Sequence, residues 1–148
     1  MKKALFVSVF TGFMVLLDQL TKYLVGVEIG PHESVQALPF LSLVNVKNTG
    51  AAFGLFGGLG NGIFIAVSFT AIGFIIALLI TGRESAPGLS LILSGAAGNL
   101  IDRLRYGYVR DFIDVFWGRY HWPAFNVADS CLTVGVALLL IAAITRRK

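Results

Sequence analysis

The 148-residue chain is 56% hydrophobic and only 14% charged, far below the quarter of charged residues usual in a soluble domain, so it reads as a membrane protein with room for one domain. Its single cysteine, Cys131, excludes an internal disulfide and any cysteine cluster around a metal. The net charge of +4 arises at the two ends and around the polar loops, with no basic stripe along one element, which argues against a nucleic-acid interface.

A bilayer core of about 30 Å is crossed by about 20 mostly apolar helical residues. The first such segment is Ala4–Gly26, "ALFVSVFTGFMVLLDQLTKYLVG". Its basic start and apolar run also suit a secretory signal peptide, but "DQLTKY" follows where a small-residue cleavage site belongs, so we read a retained helix. The next stretch, "VQALPFLSLVNVKNTGAAFGLF", alternates β-branched and aromatic residues around Pro39, which predicts a small strand-rich cap. The second span, Leu59–Thr81, carries no charge.

The third span, 87–104, opens on Pro87, a favoured first helical residue. Its small residues Ser94, Gly95, Ala96, Ala97 and Gly98 predict close approach of a neighbouring helix. A polar connection follows, "RYGYVRDFIDVFWGRYHWPAF", in which Trp117, Tyr120 and Trp122 suit a membrane–water interface. The fourth span covers 126–145. The expected fold is therefore an all-α integral membrane protein. Its four transmembrane helices carry a strand-rich extracytoplasmic cap between the first two, and residues 1–148 make one membrane-embedded domain.

Four spans place both termini on one side. Basic residues count equally on the two faces, but the termini and "GRESAP" are pure flanks whereas several bases of the opposite face neighbour acids, so both termini are assigned to the cytoplasm. On that topology Asp18, Asp102, Asp111, Asp114 and Asp129 all approach the same outer boundary. Each has a structural reading beside a functional one. Asp18 and Lys22 have the spacing of a helical ion pair; otherwise Lys22 meets an anionic headgroup. Asp102 and Arg103 balance each other's charge, and Asn99 shares a face with Asp102. Asp114 is a solvated loop acid. Asn126 and Asp129 stand at capping-box spacing.

Other chemistries lack their residues. His32 and His121 form no zinc-peptidase motif, "ILSGAAG" lacks the glycine and histidine of an intramembrane serine protease, and a Ser–Lys dyad has no candidate beyond Lys22, which is spaced to pair with Asp18. Cys131 has no histidine near it in sequence, and no glycine-rich loop joins a strand to a helix. Carboxylate chemistry remains, with paired acids activating a water. Two rivals are a proton-coupled transporter, which would want a polar ladder through the second span, and a non-catalytic binding factor, which needs no second aspartate.

Four motifs occur in order: "DQLTK" at 18–22, "NTGAAFG" at 48–54, "GNLIDRLRYGYVRDFID" at 98–114 and "FNVADS" at 125–130. Together they make the chain resemble the bacterial lipoprotein signal peptidases, or signal peptidase II, over essentially its whole length. Gly54 departs from the serine common at that place. The resemblance implies a cofactor-free, metal-free aspartyl endopeptidase of the bacterial inner membrane. It would cut diacylglyceryl-modified prolipoproteins just before the lipidated cysteine, and globomycin-type peptides would inhibit it. It further implies that Asp111 and Asp129 are the catalytic pair, a choice over Asp102 and Asp114 that spacing alone does not make. Asn48, Asn99 and Asn126 would then orient the pair or bind substrate backbone. Arg103 would place the lipidated end or brace the pair, and Gly50 would allow close approach. Asp18 and Lys22 would tie the first span to the site or meet lipid phosphate, Phe53 and Leu55 would form a lid, and the signal peptide's own apolar helix would dock on the small-residue face of the third span.

Overall fold

The computed structural model describes residues 2–31, 33–50, 60–81 and 85–145. The expected lid residues Phe53 and Leu55, together with Gly54, His32 and Leu59, lie outside them. The helices are α1 (Lys2–Glu28), α2 (Asn61–Thr81), α3 (Ala86–Tyr106) and α4 (Val127–Thr145). Among the described residues α1, α2 and α4 are long and apolar enough to cross a membrane. The polar and small residues of α3 keep it out of that set, and it is the helix the others surround: α1, α2 and α4 all pack against it.

Burial is inverted relative to a soluble protein. Large apolar side chains such as Leu5, Phe13, Val67 and Ile80 face outward, whereas Asp18, Lys22, Asp102, Arg103, Asp111 and Asn126 are buried. In water that arrangement would waste apolar surface. In a bilayer, polar groups kept away from lipid avoid a cost of several kcal/mol for each unsatisfied group.

The helices close on one another through glycine. A Cβ on Gly95 would strike the Ala128 carbonyl and come within 2.6 Å of Leu132 Cγ. One on Gly135 would lie 2.8 Å from the Gly88 carbonyl, and one on Gly98 2.6 Å from Asp18 Oδ2. The small-residue face of α3 is thus occupied by α4 and α1, which corrects the expectation that a substrate helix docks there. At the end of α3, Gly107 adopts φ 78°, and its N–H returns to the Arg103 carbonyl at 3.1 Å, a left-handed cap.

Four antiparallel strands lie in the order β1 (Ser34–Leu38), β2 (Leu41–Asn48), β3 (Val109–Trp117) and β4 (Tyr120–His121). The all-α description and the placing of the cap between the first two helices therefore need correction: β3 and β4 come from the connection between α3 and α4. Arg110, Asp111 and Asp114 interrupt the apolar alternation of "VRDFIDVFW", so the strand is poorly marked in sequence. The sheet is pinned to the end of α1 by Val25, Ile29 and Phe112, with Leu43, Ile113 and Val127 packed around them. Asn45 Nδ2 adds a hydrogen bond to the Ile29 carbonyl at 2.7 Å.

One irregularity sets the rest. Leu43 pairs with Ile113, but Val46 pairs with Asp111, so β2 carries one extra residue and bulges. Opposite the bulge, the Phe112 and Ile113 N–H groups both donate to the Phe125 carbonyl, at 2.9 and 2.8 Å, and the Phe125 N–H returns to the Ile113 carbonyl at 3.1 Å. The segment that starts α4 is thereby tied to the strand that carries Asp111.

The glycine contacts predict an asymmetry. Gly95→Ala should lower stability by about 1–3 kcal/mol through overpacking. Gly73→Ala, where a Cβ meets nothing within 4 Å, should leave it unchanged or raise it slightly. Thermal unfolding of both variants in one detergent checks the difference.

Candidate active site

Asn126 is fully buried and sits at the N-cap of α4. Its Oδ1 accepts the Asp129 N–H at 2.8 Å, and Asp129 Oδ2 accepts the Asn126 N–H at 3.3 Å, the reciprocal bonds of a capping box. The structural reading of the Asn126/Asp129 spacing is therefore correct. It does not exhaust the pair, because Asn126 Nδ2 also donates to Asp111 Oδ1 at 2.7 Å. One amide spans the two carboxylates, its oxygen serving the helix end that bears Asp129 and its nitrogen serving Asp111.

Each carboxylate has a second amide. Asn48, at the end of β2, donates to Asp111 Oδ2 at 2.9 Å, while its Oδ1 accepts the Gly50 N–H at 2.9 Å. Asn99 on α3 donates to Asp129 Oδ1 at 2.8 Å. Behind Asn99 lies Lys22, whose Nζ meets Asn99 Oδ1 at 3.0 Å, Asp18 Oδ2 at 2.8 Å and Asp102 Oδ2 at 3.0 Å. All three charged groups are buried. Lys22 therefore meets no headgroup; it holds Asn99 by the oxygen so that the amide nitrogen faces Asp129. Asp18 Oδ1 accepts the Ala128 N–H at 2.9 Å, satisfying another free donor at the start of α4. Ionised carboxylates here have the helix N-terminus on their side.

Among the described residues Arg103 makes no ion pair with Asp102, which is bridged instead by Lys22. Its guanidinium donates through Nη2 to the Gly50 carbonyl, stacks 4.4 Å over the Phe64 ring, and leaves Nη1 buried with no hydrogen-bond partner among the described residues. Asp114 lies apart, bonded at 2.9 Å to Nδ1 of His121.

Two further residues hold the site and were not singled out from sequence. Gln19 Nε2 donates to Asp102 Oδ1 at 2.9 Å and to the Gly98 carbonyl at 3.2 Å, crosslinking α1 and α3. Arg110 Nη1 donates to the Lys22 carbonyl at 2.7 Å, and its N–H reaches Asp102 Oδ2 at 3.2 Å. Gln19 was discoverable as a polar residue inside an apolar span, between Asp18 and Lys22. Arg110 carried no such signal.

A cavity of about 630 Å³ is lined by Asp111, Asp129, Asn48, Asn99 and Arg103 on its polar side and by Trp122, Leu132 and Val134 on its apolar side. A second, of about 300 Å³, adjoins Asp111 from the β2 side and is lined by Asn48 and Gly50. Asp111 thus borders both. Burial, partly offset by the Asn48 hydrogen bond, and the nearby negative charge of Asp129 push the Asp111 carboxyl up to about 6. Two neighbouring acids with one proton between them can act as base and acid in the same step. Among the described residues no three His, Cys, Asp or Glu side chains are grouped to hold a metal ion.

The chain is similar to known proteins over nearly its whole length. Residues 10–145 match the model of the family Peptidase_A8, described as signal peptidase (SPase) II. A lipoprotein signal peptidase of Thermodesulfovibrio yellowstonii is 47% identical over 134 residues, 90% of each chain. One of Syntrophus aciditrophicus is 43% identical over 158 aligned positions, covering 100% of this chain and 98% of the relative. A bacterial membrane enzyme solved by the in meso method at 2.3 Å superposes with a TM-score of 0.88 at 32% identity, over 96% of this chain and 89% of the other. A second, at 1.9 Å, gives 0.81 at 33% identity, over 93% and 91%.

The raised pKa has a thermodynamic consequence. Asp111 binds its proton more tightly folded than unfolded, so its contribution to stability is fully present below about pH 4 and is lost as pH rises through about 6. The change is on the order of 3 kcal/mol. Asp111→Asn should therefore flatten the dependence of Tm on pH between about 4 and 6; a parallel curve would show that Asp111 does not titrate in that window.

Proposed function

The chain belongs to the signal peptidase II family of aspartic peptidases, multi-pass membrane proteins, and from that premise we propose that it removes signal peptides from prolipoproteins with Asp111 and Asp129 as its catalytic pair. The observation that carries this reading is Asn126: it bonds both aspartates at once while both border one cavity.

In the proposed step a water lies between the carboxyl groups. The ionised carboxylate takes a proton from the water as its oxygen adds to the scissile carbonyl carbon. The protonated carboxyl donates a hydrogen bond, then its proton, to the carbonyl oxygen. As the C–N bond breaks, the carboxyl protonated by the water gives that proton to the departing nitrogen, and the other carboxylate takes a hydroxyl proton back from the tetrahedral intermediate, which restores the pair with one proton. Asn48, Asn99 and Asn126 hold the carboxylates by amide N–H groups, which keeps both in place without deciding which one starts protonated. Fixing the attacking water in this way removes much of the entropic barrier.

The substrate we assign is a prolipoprotein carrying diacylglycerol on a cysteine, cut just before that residue. Its acyl chains cannot leave the bilayer, so the scissile bond lies at headgroup depth. The apolar side of the larger cavity, with Trp122, Leu132 and Val134, suits an acyl chain. Nη1 of Arg103, which has no hydrogen-bond partner among the described residues, suits a glyceryl ester carbonyl at the lipidated end. Gly50 gives its carbonyl to Arg103 and brings the end of β2 against the substrate path. Asp18 and Lys22 act from behind, by holding α4 and Asn99. A globomycin-type peptide would occupy the same cavity.

The remaining assignments follow from the same reading. The chain is one membrane-embedded domain, α3 spans the membrane with the other three helices, both termini are cytoplasmic, and the sheet lies on the outer face of a bacterial inner membrane.

Asp111→Asn and Asp129→Asn should each reduce cleavage of a diacylglyceryl prolipoprotein by at least about a thousand-fold, the scale of losing a group that acts in proton transfer. Signal-peptide release followed on a gel measures it, and a folded variant cleaving at the parent rate overturns the pair. Trp117, 87% exposed on the β3–β4 hairpin, tests orientation. With Cys131 replaced by Ala, Trp117→Cys should react with an impermeant maleimide from the extracytoplasmic side alone.

A further inference from the structure

Three cations meet where β2, β3 and the last turn of α3 come together, and one of them, Lys47, also borders the smaller cavity beside Asp111. Lys47 and Arg110 are direct partners in the β2–β3 register, and Arg105 approaches from the last turn of α3. They are joined by two rings. Lys47 Nζ lies 5.3 Å from the centroid of Tyr108, Arg105 lies 5.3 Å and Arg110 6.0 Å from that of Tyr106, and the two rings are 5.8 Å apart. Among the described residues no acid forms an ion pair with any of the three. Like charges placed directly opposite on neighbouring strands are destabilising, so the Lys47–Arg110 pair is not accounted for by the sheet.

The patch stands where α1 and α3 end. The Arg110 guanidinium covers Gly26 so closely that a Cβ there would strike it, and it donates to the Lys22 carbonyl. Beside it, Tyr23 and Leu104 present exposed apolar surface along the flanks of those helices. Cations backed by aromatic rings at a helix end, above lipid-facing side chains, have the arrangement that receives a phosphate with acyl chains attached.

We propose that Lys47, Arg105 and Arg110 form a binding site for the phosphate headgroup of an anionic phospholipid, whose chains lie along α1 and α3. The site is separate from the cavity between Asp111 and Asp129. A bound headgroup would offset the charge repulsion across β2 and β3 and, through Arg110, brace the end of α1 that carries Lys22. The lipid is a structural ligand beside the reaction, so its binding does not depend on the proposed cleavage.

The full chain, placed in phosphatidylcholine nanodiscs with trace spin-labelled phosphatidylglycerol or phosphatidylcholine, tests this through the motionally restricted lipid fraction. The protein should favour the anionic label by about five-fold or more, since each cation near an anionic headgroup contributes about that factor. Lys47→Gln/Arg105→Gln leaves the Arg110 bond to α1 intact and should lose most of the preference, with helix content by circular dichroism unchanged. Arg119→Gln, on the β3–β4 turn, should keep it. Equal binding of the two labels by the parent protein, or an undiminished preference in the double variant, overturns the site. Displacement of the label by inorganic phosphate, beyond that by chloride at equal ionic strength, overturns the lipid in favour of a free anion.

Discussion

The buried side chain of Asn126 is the constraint around which the site is organised. Its oxygen closes the first turn of α4 and its nitrogen reaches Asp111 on β3. A capping side chain contributes about 0.5–2 kcal/mol to a helix, and a hydrogen bond to a charged group about 1.5–3 kcal/mol. Here one residue does both, so the depth and direction of Asp129 cannot change without disturbing Asp111. Asn48 and Asn99 repeat the pattern from β2 and α3. Neutral amides orient the two acids without adding a positive charge that would force both to ionise.

The buried ions supply the next layer. An isolated charge inside the bundle would cost several kcal/mol, and a pair broken by removing one partner costs about 3–5 kcal/mol. Lys22 avoids this by meeting Asp18, Asp102 and Asn99 together, and Gln19 and Arg110 supply further donors to Asp102. The cluster is useful because of where its remaining valences point. Asp18 reaches the start of α4, and Lys22 fixes the amide that holds Asp129. The glycines make this possible: Gly98 leaves room for Asp18, and Gly95 lets α4 come down against α3.

The sheet is as necessary as the helices. The extra residue in β2 leaves the β3 N–H groups at Phe112 and Ile113 for the Phe125 carbonyl, and that three-bond junction carries the chain into Asn126. Asp111 therefore comes to the site from a strand and Asp129 from a helix, and the two backbones are joined through Phe125. The cavity beside that junction has polar groups on one wall and apolar ones on the other.

Much of this was determined by sequence. Hydrophobic length marks the helices within about two residues at the ends of α1 and α3, and the three-residue step from Asn126 to Asp129 specifies the capping box, because such spacings have only one geometry on a helix. The four-residue step from Asp18 to Lys22 likewise specifies their ion pair. The motifs carried the family. Tertiary structure alone decided the rest. Whether Lys22 faced lipid or protein depended on how closely Gly98 lets α1 approach α3. Whether Asp102 belonged to Arg103 or Lys22 depended on the same packing. The strand through Asp111 was hidden because its polar residues break the alternation that marks a strand, and its register depends on a bulge in a partner more than sixty residues away in the chain. Local spacing dictates contacts one helical turn apart; contacts between elements depend on the space left by other side chains.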